Sequence, residues 1–303
     1  MAAFDPVSDP VTDPAQLPLH PLRWRRYVAI GDSFTEGLCD PALAGEHPWR
    51  GWADRLAEAL AARADAAGEP FEYANLAIRG RLLREIVEEQ VPPALEMEPD
   101  LVSFVGGAND ALRVGVDMDA VAVGLEDAVR RLRATGATVL MSTAVDPRQS
   151  PLVRMARGNA AILSANVWTI ARRHGAQVID LWGTRSLQDR RMWSEDRIHL
   201  TADGHRRVAL QALDVLGIEH GEDWATPLPS LPSRSRQEAW REDAEWVRAH
   251  LVPWVGRRLR GKSSGDGLPA KRPVPMPVVP PPTPSSPAHD EPLAEEAGRG
   301  RPA

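Results

Sequence analysis

Three side chains of this sequence have the chemistry of a hydrolytic site, although they lie far apart in the chain. Ser33 follows a short apolar run, in the segment Gly31-Asp32-Ser33-Phe34, whereas Asp196 and His199 lie three residues apart much later. A serine hydroxyl is a weak nucleophile, so it needs a base, a group that orients the base, and donors for the oxyanion that forms. We predict that Ser33 is the nucleophile, His199 the general base and Asp196 its orienting acid.

Two further loops offer donors for an oxyanion. Gly80 ends the loop that begins at Asn75 and can present its backbone N–H at close approach, and Asn109 offers a side-chain amide. The backbone N–H of Ser33 would be a third donor. Because a developing alkoxide needs N–H groups already in place, the predicted oxyanion hole consists of Ser33, Gly80 and Asn109.

Each of these signals has a simpler interpretation when it is taken alone. Gly-Asp-Ser after a strand can merely cap a helix, and Asp196 with His199 can be a surface ion pair. We interpret Cys39 as a small buried hydrophobe rather than as a reactive group. The catalytic interpretation therefore depends on the elements that would bring these residues together.

Five short apolar runs predict buried strands. They are Arg26–Ile30, Phe71–Leu76, Leu101–Val105, Thr138–Thr143 and Gln177–Leu181. The segments between them have helical periodicity, with apolar residues on one face. The predicted helices are Trp49–Ala67, Arg81–Met97, Val121–Ala134, Val153–His174 and Asp203–Leu216, the last capped by Thr201.

This alternation of strand and helix predicts an α/β fold with a central five-stranded parallel sheet covered by helices on both faces. In such folds the ligand site lies beyond the carboxyl ends of the strands. The clusters containing Ser33, Gly80 and Asn109 follow the first, second and third predicted strands in that order. We therefore expect them to meet at one edge of the sheet.

Taken in order, Gly31-Asp32-Ser33, Gly80, Asn109 and His199 resemble the four motif blocks of the SGNH hydrolases, also called the GDSL esterase/lipase family. Asp196 fits the acid that this family places three residues before its histidine. The resemblance spans roughly residues 26 to 216. It implies a flavodoxin-like three-layer α/β/α domain, metal-independent catalysis without a cofactor, and an ester on a lipid, a sugar or a small alcohol as substrate.

The composition excludes some other classes. A formal net charge of -6 argues against a nucleic-acid binder. One cysteine cannot form an internal disulfide, and neither a secretion signal nor an apolar run of membrane-spanning length is present. We expect a soluble, cytoplasmic protein with no membrane span and no metal or cofactor.

The composition also predicts four segments of the chain: a flexible amino-terminal segment 1–23, a hydrolase domain 24–218, a helical basic extension 219–262 and a disordered Pro-rich tail 263–303. Residues 234–262 carry eight basic and four acidic residues. The apolar residues Trp240, Trp246, Leu251 and Trp254 are expected to pack this extension onto the core. An anionic partner is the alternative.

Other functions remain open at this stage. A catalytically silent binding module could keep the same fold, and a metal-dependent phosphoesterase would also use acidic loops at strand ends. An α/β-hydrolase would place its serine in Gly-x-Ser-x-Gly, which does not occur around Ser33. The natural substrate and the oligomeric state do not follow from the sequence.

Overall fold

The apolar runs of the sequence form one sheet in the computed structural model, which describes residues 22–42, 47–149, 153–230, 241, 244–251 and 263–279. The strands are β1 (Arg26–Gly31), β2 (Glu72–Asn75), β3 (Leu101–Val105), β4 (Thr138–Ser142), β5 (Gln177–Ile179) and β6 (Arg272–Pro277). Their order across the sheet is β5-β4-β3-β1-β2-β6. The central position of β1 follows from pairing with β2 on one side and β3 on the other.

Strands β1 to β5 are mutually parallel, as their apolar runs predict. Their residues are almost entirely buried, because helices cover both faces of the sheet. All five carboxyl ends therefore lie at the same edge. The loops that contain Ser33, Gly80 and Asn109 begin there.

Eight α-helices connect and cover these strands in the described residues up to 230. They are α1 (Ser33–Glu36), α2 (Trp52–Ala66), α3 (Leu83–Glu89), α4 (Val91–Glu96), α5 (Ala108–Ala111), α6 (Met118–Ala134), α7 (Arg157–His174) and α8 (Ala202–Val215). Apolar residues of α2 and α8 pack on one face of the sheet, and those of α3, α4, α6 and α7 on the other. The predicted three-layer α/β/α fold is confirmed.

One predicted helix is divided in two. The sequence predicts a single helix over Arg81–Met97, but the structure has α3 and α4 with Gln90 between them. Pro92 and Pro93 are the cause, because proline has no N–H to continue the hydrogen bonds of α3 and its ring clashes with the carbonyl four residues earlier. Both prolines are tolerated in the first turn of α4, where N–H groups have no helical partner.

The sheet also has a sixth strand, which the sequence does not predict. Strand β6 lies antiparallel to β2, with Tyr73 opposite Met276 and Glu72 opposite Pro277. The expectation of disorder from residue 263 onward is therefore wrong for residues 263–279. Alternate prolines are compatible with this strand because it lies at the edge, where half of its N–H groups need no partner in the sheet.

The remaining predictions on domain organisation lie partly outside the described residues, which do not include residues 1–21, Trp240, Trp254 and residues 280–303. In the extension, the described part includes a π-helical turn at Val247–Leu251, and Trp246 is buried. None of the helices in the described ranges has the length and hydropathy needed to cross a lipid bilayer.

Candidate active site

Ser33 lies at the first position of α1, directly after the central strand. Asp32 caps this short helix, and its Oδ1 accepts a hydrogen bond of 3.0 Å from the backbone N–H of Phe34. The preceding Gly31 is held through both backbone groups by the side chain of Gln90, at 2.8 and 2.9 Å. The serine therefore stands on a turn that is fixed on either side.

His199 and Asp196 belong to a tight loop between a short 3-10 helix, Arg190–Met192, and α8. An isolated bridge pairs Trp193 with Leu200, and Ser194 N donates to the backbone oxygen of His199 at 2.8 Å. These bonds close the loop at its base. Between them, Arg197 adopts a left-handed conformation with φ of 57°, which gives the loop its sharp turn.

The structure brings the three predicted catalytic side chains together. His199 Nε2 lies 3.0 Å from Ser33 Oγ, and His199 Nδ1 lies 2.6 Å from Asp196 Oδ2. When Nδ1 donates to the carboxylate, the lone pair of Nε2 faces the serine hydroxyl, which is the tautomer that a base requires. This arrangement can transfer a proton from Ser33 to His199.

Asp196 is held by several donors. Its Oδ1 accepts hydrogen bonds from Ser194 Oγ at 2.6 Å, Ile198 N at 2.9 Å and His199 N at 3.0 Å. Burial alone would raise the pKa of Asp196, but these bonds and the interaction with His199 outweigh burial and hold the pKa well below its usual value. The carboxylate is therefore ionised across the physiological range.

The same pair changes the acidity of the imidazole. Burial alone would lower the pKa of His199, but its interactions with Asp196 and Cys39 outweigh burial and raise the pKa to about 9. His199 is therefore a stronger base than an ordinary histidine. It is also protonated, and so inactive as a base, over a wider range of pH.

Of the predicted oxyanion donors, Ser33 and Asn109 line the same cavity as His199. The amide of Asn109 donates to Asp32 Oδ2 at 3.2 Å and to the backbone oxygen of Arg81 at 3.0 Å. An oxyanion would have to share these hydrogens.

The carboxyl group of Asp32, which accepts from Asn109, has a shifted acidity. Burial raises its pKa to about 6, although the hydrogen bond from Phe34 N lowers the pKa in part.

Gly80 is not among the described residues that line this cavity. It has φ of 75°, and a Cβ added there would overlap Ser263 Oγ of the carboxyl-terminal segment. Its loop is joined to α1, because Arg79 N donates to Glu36 Oε2 at 2.8 Å. The role of Gly80 as an oxyanion donor remains a prediction.

The loops around the site are braced by buried polar groups. Asn75 donates to the backbone oxygen of Thr35 at 3.0 Å and accepts from Ala77 N at 3.0 Å. Asp110 Oδ2 accepts from Leu83 N at 2.8 Å. Both residues therefore connect neighbouring strand-end loops.

A cavity of about 960 Å³ opens beside Ser33, Asn109 and His199. It extends along residues that follow β3, β4 and β5, including Leu112, Val145 and Leu187. The sequence does not predict that Glu245, Trp246 and Ala249 of the extension line the cavity as well.

Sequence reasoning also misplaced Cys39. The residue is half-buried, and its Sγ lies 4.0 Å from Asp196 Oδ2, so it is not a small hydrophobe of the core. In the described part of the chain, three side chains place atoms that could bind a metal within 4.8 Å of one another. They are Cys39, Asp196 and His199. A two-metal phosphoesterase would require more converging carboxylates and histidines than these three residues provide.

Comparisons with known proteins agree with the architecture. A model of the GDSL-like lipase/acylhydrolase family matches residues 29–207. No curated protein sequence matches the chain at a significant level.

Several solved structures have a similar fold. LAE5, described as an alpha/beta hydrolase enzyme from the metagenome of Lake Arreo, Spain, is 23% identical with a TM-score of 0.55, and the match covers 66% of this chain and 97% of LAE5. A variant of Axe2, an acetyl xylan esterase from Geobacillus stearothermophilus, is 20% identical with a TM-score of 0.52, covering 66% of this chain and 97% of Axe2. TesA is 22% identical with a TM-score of 0.50, covering 63% of this chain and 98% of TesA. At these identities the likenesses concern the fold.

Proposed function

The chain belongs to the GDSL-like lipase/acylhydrolase family and is a carboxylic ester hydrolase, and we propose that it acts by transferring the acyl group of its substrate to Ser33. In this proposal His199 is the general base and Asp196 orients it. The observation that carries the proposal is a continuous chain of two hydrogen bonds. Ser33 Oγ donates to His199 Nε2 at 3.0 Å, and His199 Nδ1 donates to Asp196 Oδ2 at 2.6 Å.

In the first step, Ser33 Oγ attacks the ester carbonyl carbon while His199 Nε2 takes the hydroxyl proton. The carbonyl oxygen becomes an oxyanion, which the N–H groups of Ser33 and Gly80 and the amide of Asn109 would stabilise. The tetrahedral intermediate then collapses. Its bond to the alcohol oxygen breaks, and the imidazolium returns the proton to the leaving alkoxide.

In the second step, water replaces the alcohol. His199 takes a proton from the water as it attacks the acyl-enzyme, and a second tetrahedral intermediate forms. Its collapse releases the carboxylic acid and returns the proton to Ser33 Oγ. Asp196 keeps its negative charge throughout and stabilises the imidazolium in both steps.

We propose esters of lipids, acetylated sugars or small alcohols as the class of substrate. The similarity in fold to an acetyl xylan esterase is consistent with the second of these. We further propose residues 24–218 as the catalytic domain and residues 219–262 as an extension of it. A cytoplasmic location stays a prediction of the sequence.

Turnover of p-nitrophenyl acetate tests the assigned roles. Ser33→Ala and His199→Ala should each lower kcat by several orders of magnitude, and Asn109→Ala should lower it by about 10² to 10³. Asn166→Ala is a matched control, because that amide donates to Asp119 Oδ1 on the surface and should leave kcat unchanged. A Ser33→Ala protein with wild-type turnover would exclude Ser33 as the nucleophile.

A further inference from the structure

The cavity beside Ser33 extends in one direction only. Its lining includes residues after β3, β4 and β5 but not Gly80, which follows β2. Given the strand order β5-β4-β3-β1-β2-β6, the space therefore runs from the nucleophile toward the β5 edge of the sheet. Among the described residues, this side offers room for a substrate group much larger than an acetyl group.

The inner walls of this cavity are largely apolar. They include Leu112, Val145, Val153, Leu187 and Ile198. Three charged residues of the lining, Arg190, Glu195 and Glu245, are exposed and so lie toward solvent. A pocket with apolar walls, a few polar groups and a volume of about 960 Å³ suits an apolar ligand of substantial size.

Two buried carboxylates occur in the described lining, Asp32 beneath the nucleophile and Asp146 after β4, and the charge of Asp146 is balanced. Asp146 accepts hydrogen bonds from Arg157 at 2.7 and 3.1 Å. Of the arginines near this loop, Arg148 and Arg154 are not among the described lining residues. In the described lining, Arg190 and Arg197 are outnumbered by four carboxylates, those of Asp32, Asp146, Glu195 and Glu245. These walls therefore do not concentrate positive charge for an anionic acyl group.

The extension forms part of the cavity lining through one face of its helical segment. Glu245, Trp246 and Ala249 line the cavity, and their spacing of three and four residues places them on one side of a helix. Trp246 is only 8% exposed, whereas Glu245 and Val247 on either side of it are exposed. Its indole ring is thus buried, and it contributes to the lining of the cavity.

Trp246 is also attached to the loop that carries the base. The guanidinium carbon of Arg197 lies 5.1 Å from the centre of a Trp246 ring, within the range of a cation–π interaction. Arg197 directly follows Asp196 in the chain and precedes His199 by two residues. The family match ends at residue 207, so this wall of the cavity comes from outside the family region.

The part of an ester that such a wall would contact follows from the order of the steps. The alcohol leaves after the first step, but the acyl group stays bonded to Ser33 until water has entered. An enclosed apolar space therefore favours the acyl group, whose contacts with the walls persist into the second step. Each buried methylene can then raise kcat/KM about fourfold.

We propose that residues 245–249 of the extension form one wall of an acyl-binding subsite, that the enzyme prefers medium or long unbranched acyl chains over acetyl, and that Trp246 determines this preference. The proposal rests on the proposed function, because it assumes that Ser33 carries the acyl group. Trp246 acts here on substrate specificity alone. It takes no part in the bond changes.

The test measures kcat/KM for p-nitrophenyl acetate, butyrate and octanoate with the full chain. The wild type should favour octanoate, and Trp246→Ala should lose at least tenfold on octanoate, chiefly through a higher KM, while acetate changes less than twofold. Trp246→Phe should keep most of the preference. Trp168→Ala is the control, because Trp168 is 43% exposed on α7 and lies away from the cavity lining.

Three results would overturn the proposal: a wild type that favours acetate, an unchanged chain-length profile in Trp246→Ala, or an equal loss on all three esters. A second series uses acetyl esters of longer alcohols, and their kcat/KM must be unaffected by Trp246→Ala. A change in these values would show that the cavity binds the alcohol group of the ester. Labelling of Ser33 by a fluorophosphonate distinguishes a failure of the acyl-binding subsite from a failure of the proposed function. Labelled protein with an unchanged profile contradicts the subsite alone, whereas unlabelled protein without esterase activity contradicts the proposed function itself.

Discussion

At the scale of single residues, the geometry of the site depends on Asp196, whose two carboxylate oxygens bind different partners. Asp196 Oδ1 accepts from its own loop, and Oδ2 is directed at His199 and Cys39. The carboxylate is therefore held in place by the backbone before it interacts with the imidazole. This division of its two oxygens lets a single side chain both shape the loop and orient the base.

The raised pKa of His199 predicts an alkaline activity profile. Below this pKa the imidazolium has no lone pair to accept the proton of Ser33, so kcat/KM for a neutral ester should rise with pH until it levels off above about pH 9. Asp196→Asn removes the charge that raises the pKa. The inflection should then move toward 6.5, the ordinary value, and kcat should fall by orders of magnitude.

Rates measured across this pH range for the wild type and Asp196→Asn provide the check. The buffers must be matched in ionic strength, since salt screens the charge interaction. An inflection at or below pH 6.5 in the wild type, or one that Asp196→Asn leaves in place, would contradict this account of the pair.

At the scale of elements, the short helix α1 sets the position of the nucleophile. It spans only Ser33–Glu36 and ends at Gly37, which adopts a left-handed conformation with φ of 89°. At that point the chain passes directly against Gly51, the residue that precedes α2. The two glycines allow the end of α1 and the start of α2 to approach backbone to backbone.

Gly37→Ala should therefore destabilise the protein more than a left-handed glycine ordinarily would. An added Cβ would overlap the backbone of Gly51, whereas Gly68 has a similar φ of 69° and nothing within 4 Å. We expect Gly68→Ala to cost about 1–2 kcal/mol and Gly37→Ala about 1–3 kcal/mol more because of overpacking. Urea unfolding of both variants measures the difference, and equal losses would show that the close approach is unimportant.

At the scale of the whole molecule, residues 263–279 connect the β6 edge of the sheet to α1, the helix that begins with Ser33. Lys271, just before β6, has a side chain that is only 2% exposed. Its Nζ lies 2.5 Å from Asp54 Oδ2 and donates to the backbone oxygen of Glu36 at 2.5 Å. The segment thereby joins the last residue of α1 to the first turn of α2.

Lys271→Met should show how much this connection contributes to stability. Removing one partner of a buried ion pair leaves the other charge uncompensated, so we expect the free energy of unfolding to fall by about 3 kcal/mol. Arg84→Met is the control, because the Arg84–Glu88 pair is 75% and 58% exposed and should contribute less than about 1 kcal/mol. Similar unfolding midpoints for the two variants would mean that residues 263–279 are dispensable for the fold.

Much of the architecture could be predicted from local signals. The five parallel strands correspond to continuous apolar runs, and the predicted ends of β1, β3 and β4 lie within one residue of the observed ones. The parallel topology in turn explains why Ser33 and His199 can meet, since loops at carboxyl ends share one edge. Asp196 could be paired with His199 because both belong to one short loop.

The features that could not be predicted from the sequence depend on contacts between distant residues, which leave no local sequence pattern. Alternate prolines in β6 have the composition of a disordered segment, and only the open edge of β2 gives them a partner. The position of Trp246 depends on the path of the extension, and the contact of Cys39 with Asp196 joins residues distant in sequence. Such packing follows from the whole fold rather than from periodicity or spacing.

The central claim is that Ser33 is a nucleophile activated by His199, and covalent labelling tests it most directly. The protein would be incubated with a fluorophosphonate, and the adduct would be counted by intact mass and located by peptide mapping. If His199 activates Ser33, one adduct forms on Ser33, and its rate of formation falls by orders of magnitude in His199→Ala. A folded wild-type protein that takes up no probe, or one that carries the adduct on another residue, would contradict it.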